Sequence, residues 1–258
     1  MVISAELKEF FNSGYLTYIP HIYIDCVIFG YHNRKLKILL TKNGFLSEWC
    51  LPGGYMKRSE SLQQAADRTI VDRTGIENLY LQQFRAFGDP NRTRYQNFDE
   101  EQWYSLTGLR LLKNNWLFDQ TVSIGFFAIT DFLKSIPSID IESIESAWFN
   151  INELPELAMD HAEIVAMALK TLKIQLYHSP IGYNLLPEKF TLAEIQALYE
   201  TLLEKKLDVS NFSKKLLTLG ILEKANEKRN TSGHRSPYFY NFVRSNYEEA
   251  LNEGIVLV

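Results

Sequence analysis

Cysteine is nearly absent: Cys26 and Cys50 are the only two in 258 residues. Two thiols cannot build a disulfide framework, and neither stands with histidines at zinc spacing, so a stapled secreted module and a zinc site are both excluded. Both lie in apolar stretches and read as buried thiols. No apolar run reaches the roughly 18 residues that a membrane span needs. The stretch from Met1 to Leu16 carries Glu6 and Glu9 and lacks the basic start and apolar centre of a signal peptide, so a cytoplasmic location is expected. An excess of one charge is missing too. With 27 basic and 31 acidic side chains, net −4, the chain is not one that coats nucleic acid indiscriminately. There is no internal repeat and no serine or cysteine nucleophile motif, and His21, His32 and His178 have no partners visible in sequence.

What is present is a globular composition, 46% hydrophobic over a length that accommodates two domains. Ser4 to Phe11 spells a short helix capped by Ser4, with Leu7, Phe10 and Phe11 on one side. Strands are expected over His21 to Phe29 and Lys35 to Thr41, around a turn at His32-Asn33-Arg34. Further strands are expected near Leu79 to Ala86, from Thr121 to Thr130, and around Trp148 and Phe149. A long amphipathic helix runs from His161 to Tyr177, with Asp160 as its cap. The trio Asp160, His161 and Glu163 resembles a metal set but reads better as a helix start, with acids near the positive end of the dipole. Strands alternating with helices indicate an α/β (α+β) sandwich over residues 1–178.

At Ser179-Pro180-Ile181-Gly182 and Pro187 the periodicity breaks, which marks a boundary; residues 179–258 form the second expected domain. Thr191 and Glu194 spell a capping box ahead of an apolar stripe through Leu192, Ile195, Leu198, Tyr199 and Leu202. A second helix, Ser210 to Leu219, ends at Gly220. Two β runs follow, Ile221 to Ala225 and Tyr238 to Val243, around a polar loop. Helix, helix, hairpin is the order of a winged helix-turn-helix.

Charge is uneven inside this tail. Between Val209 and Arg244 stand Lys214, Lys215, Lys224, Lys228, Arg229, Arg235 and Arg244 against only Glu223 and Glu227. Phosphates attract such a surface in a salt-dependent way, and helix side chains in the major groove read base edges. Asn211, Ser213, Lys214 and Lys215 open the second helix, where recognition helices contact bases. Lys228, Arg229, His234 and Arg235 lie in the wing and suit phosphates or a minor groove. The bland alternative is a solvated basic face on a protein-binding adaptor.

One segment is more specific. Leu51-Pro52-Gly53-Gly54 is followed by Glu60 after five residues, Arg68 after seven more, then Gly75 and Ile76. This resembles the Nudix box. In that family, three glutamates follow the arginine at offsets that share one helix face and hold magnesium. Here those positions are Thr69, Asp72 and Arg73. A guanidinium repels a divalent cation at ligand distance, so no metal, no cofactor and little diphosphate hydrolysis are expected. The frame residues keep structural roles: Gly53 and Gly54 allow tight backbone, Gly75 ends the helix, and Glu60 can pair with Arg68. A hydrolase with metal ligands recruited elsewhere is the competing reading.

Together, Phe190-Thr191-Leu192, Leu198-Tyr199-Glu200, Asn211-Phe212, Lys214-Lys215-Leu216-Leu217 and Gly220-Ile221-Leu222 resemble the C-terminal signature of Nudix-related transcriptional regulators. Phe87-Gly88-Asp89-Pro90 and Asp160-His161-Ala162-Glu163-Ile164 are similar to that family as well. The resemblance implies a homodimeric repressor or activator with a Nudix α/β/α sandwich as effector sensor, a winged helix on double-stranded operator DNA, and no membrane. One branch of the family senses ADP-ribose; another controls sugar utilisation, including arabinose operons in gut Bacteroidetes.

Between Arg94 and Gln120 the chain is about twenty residues longer than the ADP-ribose-linked pattern. The insertion holds Tyr95, Phe98, Trp103, Tyr104, Trp116 and Phe118, with Asp99, Glu100 and Glu101. Aromatic faces suit sugar C–H faces, whereas a diphosphate would prefer more cations. The expectation is therefore a neutral pentose, arabinose first, with ADP-ribose as the alternative. Lys42, Trp49, Phe87, Asp89, Arg92, Trp103 and Tyr104 are the candidate effector contacts. The aromatics could equally anchor a loop or a dimer contact.

Overall fold

The computed structural model describes residues 5–44, 46–77, 79–92, 100–111, 114–130, 132, 143–177, 185–230 and 236–253. Ser4, Tyr95, Phe98, Asp99, His178, the linker Ser179 to Gly182, His234 and Arg235 lie outside these residues. The chain divides into two compact units. One is residues 1–29, 38–128 and 135–168; the other is 30–37, 129–134 and 169–258.

A sheet with strand order β3-β2-β1-β6-β5 dominates the first unit. These strands are β1 (Tyr18–His32), β2 (Lys35–Asn43), β3 (Trp49–Cys50), β5 (Tyr80–Phe87) and β6 (Val122–Thr130). In addition, β4 (Gly53–Lys57) pairs with β1, and β7 (Ser143–Asn150) with β2. The β1–β2 turn uses positive φ at Asn33 and Arg34, a twist that suits a tight hairpin. Strand residues alternate between faces, so Ile24, Cys26 and Ile28 of β1 and Ile124, Phe126 and Ala128 of β6 present one apolar face. Helix α2 (Leu62–Thr74) covers it with Ala65, Ala66 and Ile70. Val27, Phe29 and Phe127, on the opposite face, are also buried.

Helix α1 (Ala5–Ser13) presents Leu7, Phe10 and Phe11 to a second core. Its partners are Tyr23, Tyr55, Trp103 of α3 (Glu100–Thr107), and Trp116 and Leu117 of a 3-10 turn. Phe11 meets Trp103 edge-on at 5.0 Å, and Phe10 meets Trp116 at 5.3 Å. Cys26 and Cys50 are buried free thiols, as expected. Burial pushes the Cys50 thiol up to about 12.

The second unit contains the end of α4 (His161–Gln175), then α5 (Leu192–Leu203), α6 (Val209–Thr218), the hairpin β8 (Leu222–Lys228) with β9 (Tyr238–Phe242), and α7 (Arg244–Glu253). Ile195, Leu198, Tyr199 and Leu202 of α5, with Phe212 and Leu216 of α6, form its interior. The hairpin gains a third short partner where Phe190 and Tyr240 exchange both backbone hydrogen bonds. Among the described residues, no helix is long and apolar enough to cross a membrane.

Candidate functional site

The box reads in space as the glycine-led strand β4 strapped to helix α2. Ser61 caps α2 through a capping box with Gln64, and Gly75 closes the helix at φ 69° with its N–H on the Val71 carbonyl. Gly53 admits no side chain, since a Cβ there would stand 2.6 Å from the Tyr23 ring and 2.8 Å from the Ile24 carbonyl oxygen, and one at Gly54 would meet Thr69 Oγ1 tightly at 3.1 Å. Arg68 grips Glu60 with two nitrogens, at 2.6 and 2.9 Å, and donates to the Tyr55 carbonyl. The hydrogen bond from Arg68 holds the Glu60 carboxyl below the usual range. The expected Glu60–Arg68 pair is thus present.

The three positions after this arginine diverge. Thr69 is buried against Gly54. Asp72 accepts from Arg68 at 3.1 Å, and Arg73 donates through Nε to the Gly53 carbonyl at 2.8 Å. Among the described residues, no three histidine, cysteine or acidic side chains converge as a metal site. One carboxylate already held by an arginine, beside a second arginine, does not fit magnesium.

Beside Gly53 lies a buried ionic cluster. Arg92 forks onto Asp160 at 2.6 and 2.9 Å and reaches Asp25 at 3.3 Å. Ser123 Oγ donates to the same Asp25 oxygen. Asp25 and His161 are fully buried, the Arg92 side chain nearly so. Burial disfavours the Arg92 cation, but the hydrogen bond to Asp160 and the charge of Asp25 hold its pKa above the ordinary value. His161 accepts from the Leu51 N–H at Nδ1, so its proton sits on Nε2, 3.5 Å from Asp25 Oδ1. Asp160, expected as a simple helix cap, has its carboxylate on Arg92 instead. Its carbonyl receives the N–H groups of Glu163 and Ile164. Sequence reasoning missed Asp25, Ser123 and His161 as members of this cluster.

Lys42 lies over the Trp49 ring at 5.7 Å. Asp89 and Arg92 share one turn, closed by Arg92 N–H on the Asp89 carbonyl, while Asp89 Oδ1 accepts from Asn91. Phe87 is buried beside Phe84. Tyr104 is exposed under Arg110, at 4.6 Å. Trp103 and Trp116, read from sequence as part of a sugar platform, are core residues, 5% and 7% exposed. The physical reason is α1, whose apolar face needs cover and takes it from these indoles.

In the second unit, Asp208 caps α6 by accepting from Asn211 N–H at 2.8 Å. Asn211, Lys214, Lys215 and Thr218 are exposed, and offsets of three, four and seven put them on one face, opposite buried Phe212 and Leu216. Ser213 is half-buried and stands off that face. Thr218 was not singled out from sequence, although its offset from Asn211 signals it.

In the wing, Tyr238 faces Lys228 across the hairpin. The ammonium groups of Lys224 and Lys228 lie 3.5 and 4.6 Å from its ring centre. Arg229, expected at DNA, donates to Glu194 at 2.6 Å, and Lys189 pairs with Glu227.

The profile of the NUDIX domain matches residues 20–168, more than half of the chain. The chain belongs to the Nudix family. The profile of the NrtR DNA-binding winged helix domain matches residues 182–242. The chain is thus a Nudix domain followed by an NrtR-type winged helix, homologous to NrtR repressors. It is similar to the ADPR responsive transcriptional repressor NtrR of Acinetobacter baylyi, 26% identical over 95% of this chain and 90% of that protein. The crystal structure of Shewanella oneidensis NrtR complexed with a 27mer DNA matches with TM-score 0.68 at 25% identity, covering 88% and 95% of the two chains. The ADP-ribose pyrophosphatase of Methanocaldococcus jannaschii is 25% identical over 57% of this chain and 71% of that protein.

Proposed function

We propose that this protein is a transcriptional repressor that binds operator DNA through α6 and the wing and senses ADP-ribose, without hydrolysing it, in its Nudix domain. The observation that carries the reading is the exposed face of Asn211, Lys214, Lys215 and Thr218 on the second helix of an NrtR-type winged helix. One asparagine and two lysines match the needs of base reading and phosphate neutralisation. The similarity to an ADPR-responsive repressor extends over both halves of the chain.

The effector expectation shifts accordingly. Arabinose rested on the aromatic insertion, and its tryptophans are engaged in packing α1. ADP-ribose, the alternative, is favoured by the relatives. The loss of hydrolysis is supported by Thr69, Asp72 and Arg73, whose arrangement leaves no carboxylate set for magnesium. A two-fold dimer would present two copies of α6 to a palindromic site.

The test is a mobility shift with a duplex from the region upstream of the protein's own gene, repeated with ADP-ribose and with L-arabinose. ADP-ribose should change the bound fraction at concentrations where arabinose leaves it unchanged. Release by arabinose alone would restore the sugar reading, and absence of any shift would favour the adaptor.

A further inference from the structure

Seven basic residues between Val209 and Arg244 form the charge surplus of the tail, but they are not equivalent. Arg244 is paired with Glu248, and Arg229 with Glu194. Glu194 is a junction. One carboxylate oxygen closes the α5 capping box by accepting from Thr191 N–H and Oγ1–H, and the other accepts from Arg229 at the base of the wing. Arg229 also lies over Phe239, and its N–H donates to the Pro237 carbonyl. Side chain and backbone alike therefore tie it to the hairpin base and to α5.

Lys224 and Lys228 are different. Both are exposed, and both ammonium groups converge on the single ring of Tyr238. Two like charges gathered over one ring repel each other, and the ring's negative face offsets only part of that. A phosphate beside them would offset the rest.

We propose that Lys224 and Lys228, presented by Tyr238, are the wing's phosphate-binding pair, and that Arg229 is a positioning residue that holds the wing to α5 through Glu194. This division of labour rests on the proposed DNA binding. It predicts something that charge counting does not: removing a negative charge at Glu194 weakens DNA binding. The substitution Glu194→Gln keeps the capping box closed, since a glutamine serves that position, but releases the Arg229 cation.

The experiment measures affinity of the full chain for the upstream duplex and for a scrambled duplex of equal length, each across a salt series. Lys224→Ala with Lys228→Ala should lower the salt slope by about two on both duplexes, roughly 0.9 per lost phosphate contact. Arg229→Gln and Glu194→Gln should each weaken binding several-fold while leaving the slope at the wild-type value. Tighter binding by Glu194→Gln, or a slope reduced by about one in Arg229→Gln, would overturn the positioning role. An unchanged slope in the double lysine variant would overturn the phosphate pair. If the wild-type chain binds neither duplex, the DNA reading itself fails, and this inference with it.

Discussion

Arg73 of α2 donates through Nε to the carbonyl oxygen of Gly53, the residue that opens β4. Arg73 thus serves as an internal strap, fixing the start of β4 from the helix side. A half-buried charged hydrogen bond of this kind contributes about 1.5–3 kcal/mol. Arg73→Ala should lose that much in urea unfolding. More tellingly, ADP-ribose should raise the Tm of the wild type equally in magnesium and in EDTA, by the equivalent of about 2.7 kcal/mol at a hundred times its Kd. Magnesium-dependent turnover of ADP-ribose that Asp72→Ala abolishes would refute the sensor-only role.

Arg92 neutralises Asp25, which has no solvent access, and Asp160 at the start of α4. Removing the guanidinium leaves a buried carboxylate that keeps the Ser123 hydrogen bond but has lost its cation. Arg92→Ala should cost about 3–5 kcal/mol. Arg92→Met combined with Asp25→Asn should cost less than the two single changes added together, because the residues share one network. Additive losses in a urea double-mutant cycle would show that the two are energetically independent.

Trp103 separates a core role from a ligand-binding one. Buried against Phe11, it should cost about 3–5 kcal/mol when cut to alanine. Effector affinity, measured by calorimetry below the lowered Tm, should stay within about twofold, since a residue that packs α1 contributes no contact area to a ligand. A variant of near-normal stability that no longer binds its effector would return this indole to the pocket.

Much of this was legible locally. The Thr191 and Glu194 capping box, the hairpin turn at Asn33 and Arg34, the left-handed end at Gly75 and the Glu60–Arg68 pair all obey rules that act over eight residues or fewer. The Ser61–Gln64 box is equally local and fixes the start of α2 at Leu62. Helices α3 and α7 went unread because the side chains that anchor them, Trp103, Tyr247 and Ala250, are buried only in the folded chain. The partners of Asp160 and Arg229 lie 68 and 35 residues away, so local rules assigned Asp160 a cap and Arg229 a phosphate. Charge pairing at that range belongs to the tertiary structure, not to any window of sequence.

Glu200 shapes the approach to α6. It accepts from the Leu207 N–H, from Gln196 and from Lys206, and these bonds hold its carboxyl at about 2. A depressed carboxylate stabilises fully above its unfolded value of about 4.3, and that contribution fades as pH falls toward the folded value. Glu200→Gln should therefore melt below the wild type at pH 7, and the gap should close between roughly pH 4.3 and 2. A gap independent of pH would mean that the connector is held by something else.

The exposed face of α6 predicts two separable defects. Lys214→Ala with Lys215→Ala removes charge without base information, so affinity should fall similarly for operator and scrambled duplexes and the salt slope should drop by about two. Asn211 is neutral and sits on the same face one turn earlier, where an amide can fork onto adenine. Asn211→Ala should leave the slope and the scrambled duplex unaffected while weakening the operator by about 1–3 kcal/mol, roughly 5- to 150-fold. Ser213→Ala, off the face, should change neither. If the lysine pair proves operator-specific and Asn211 indifferent to sequence, another face of α6 meets the bases, and the helix is rotated relative to the groove from the orientation argued here.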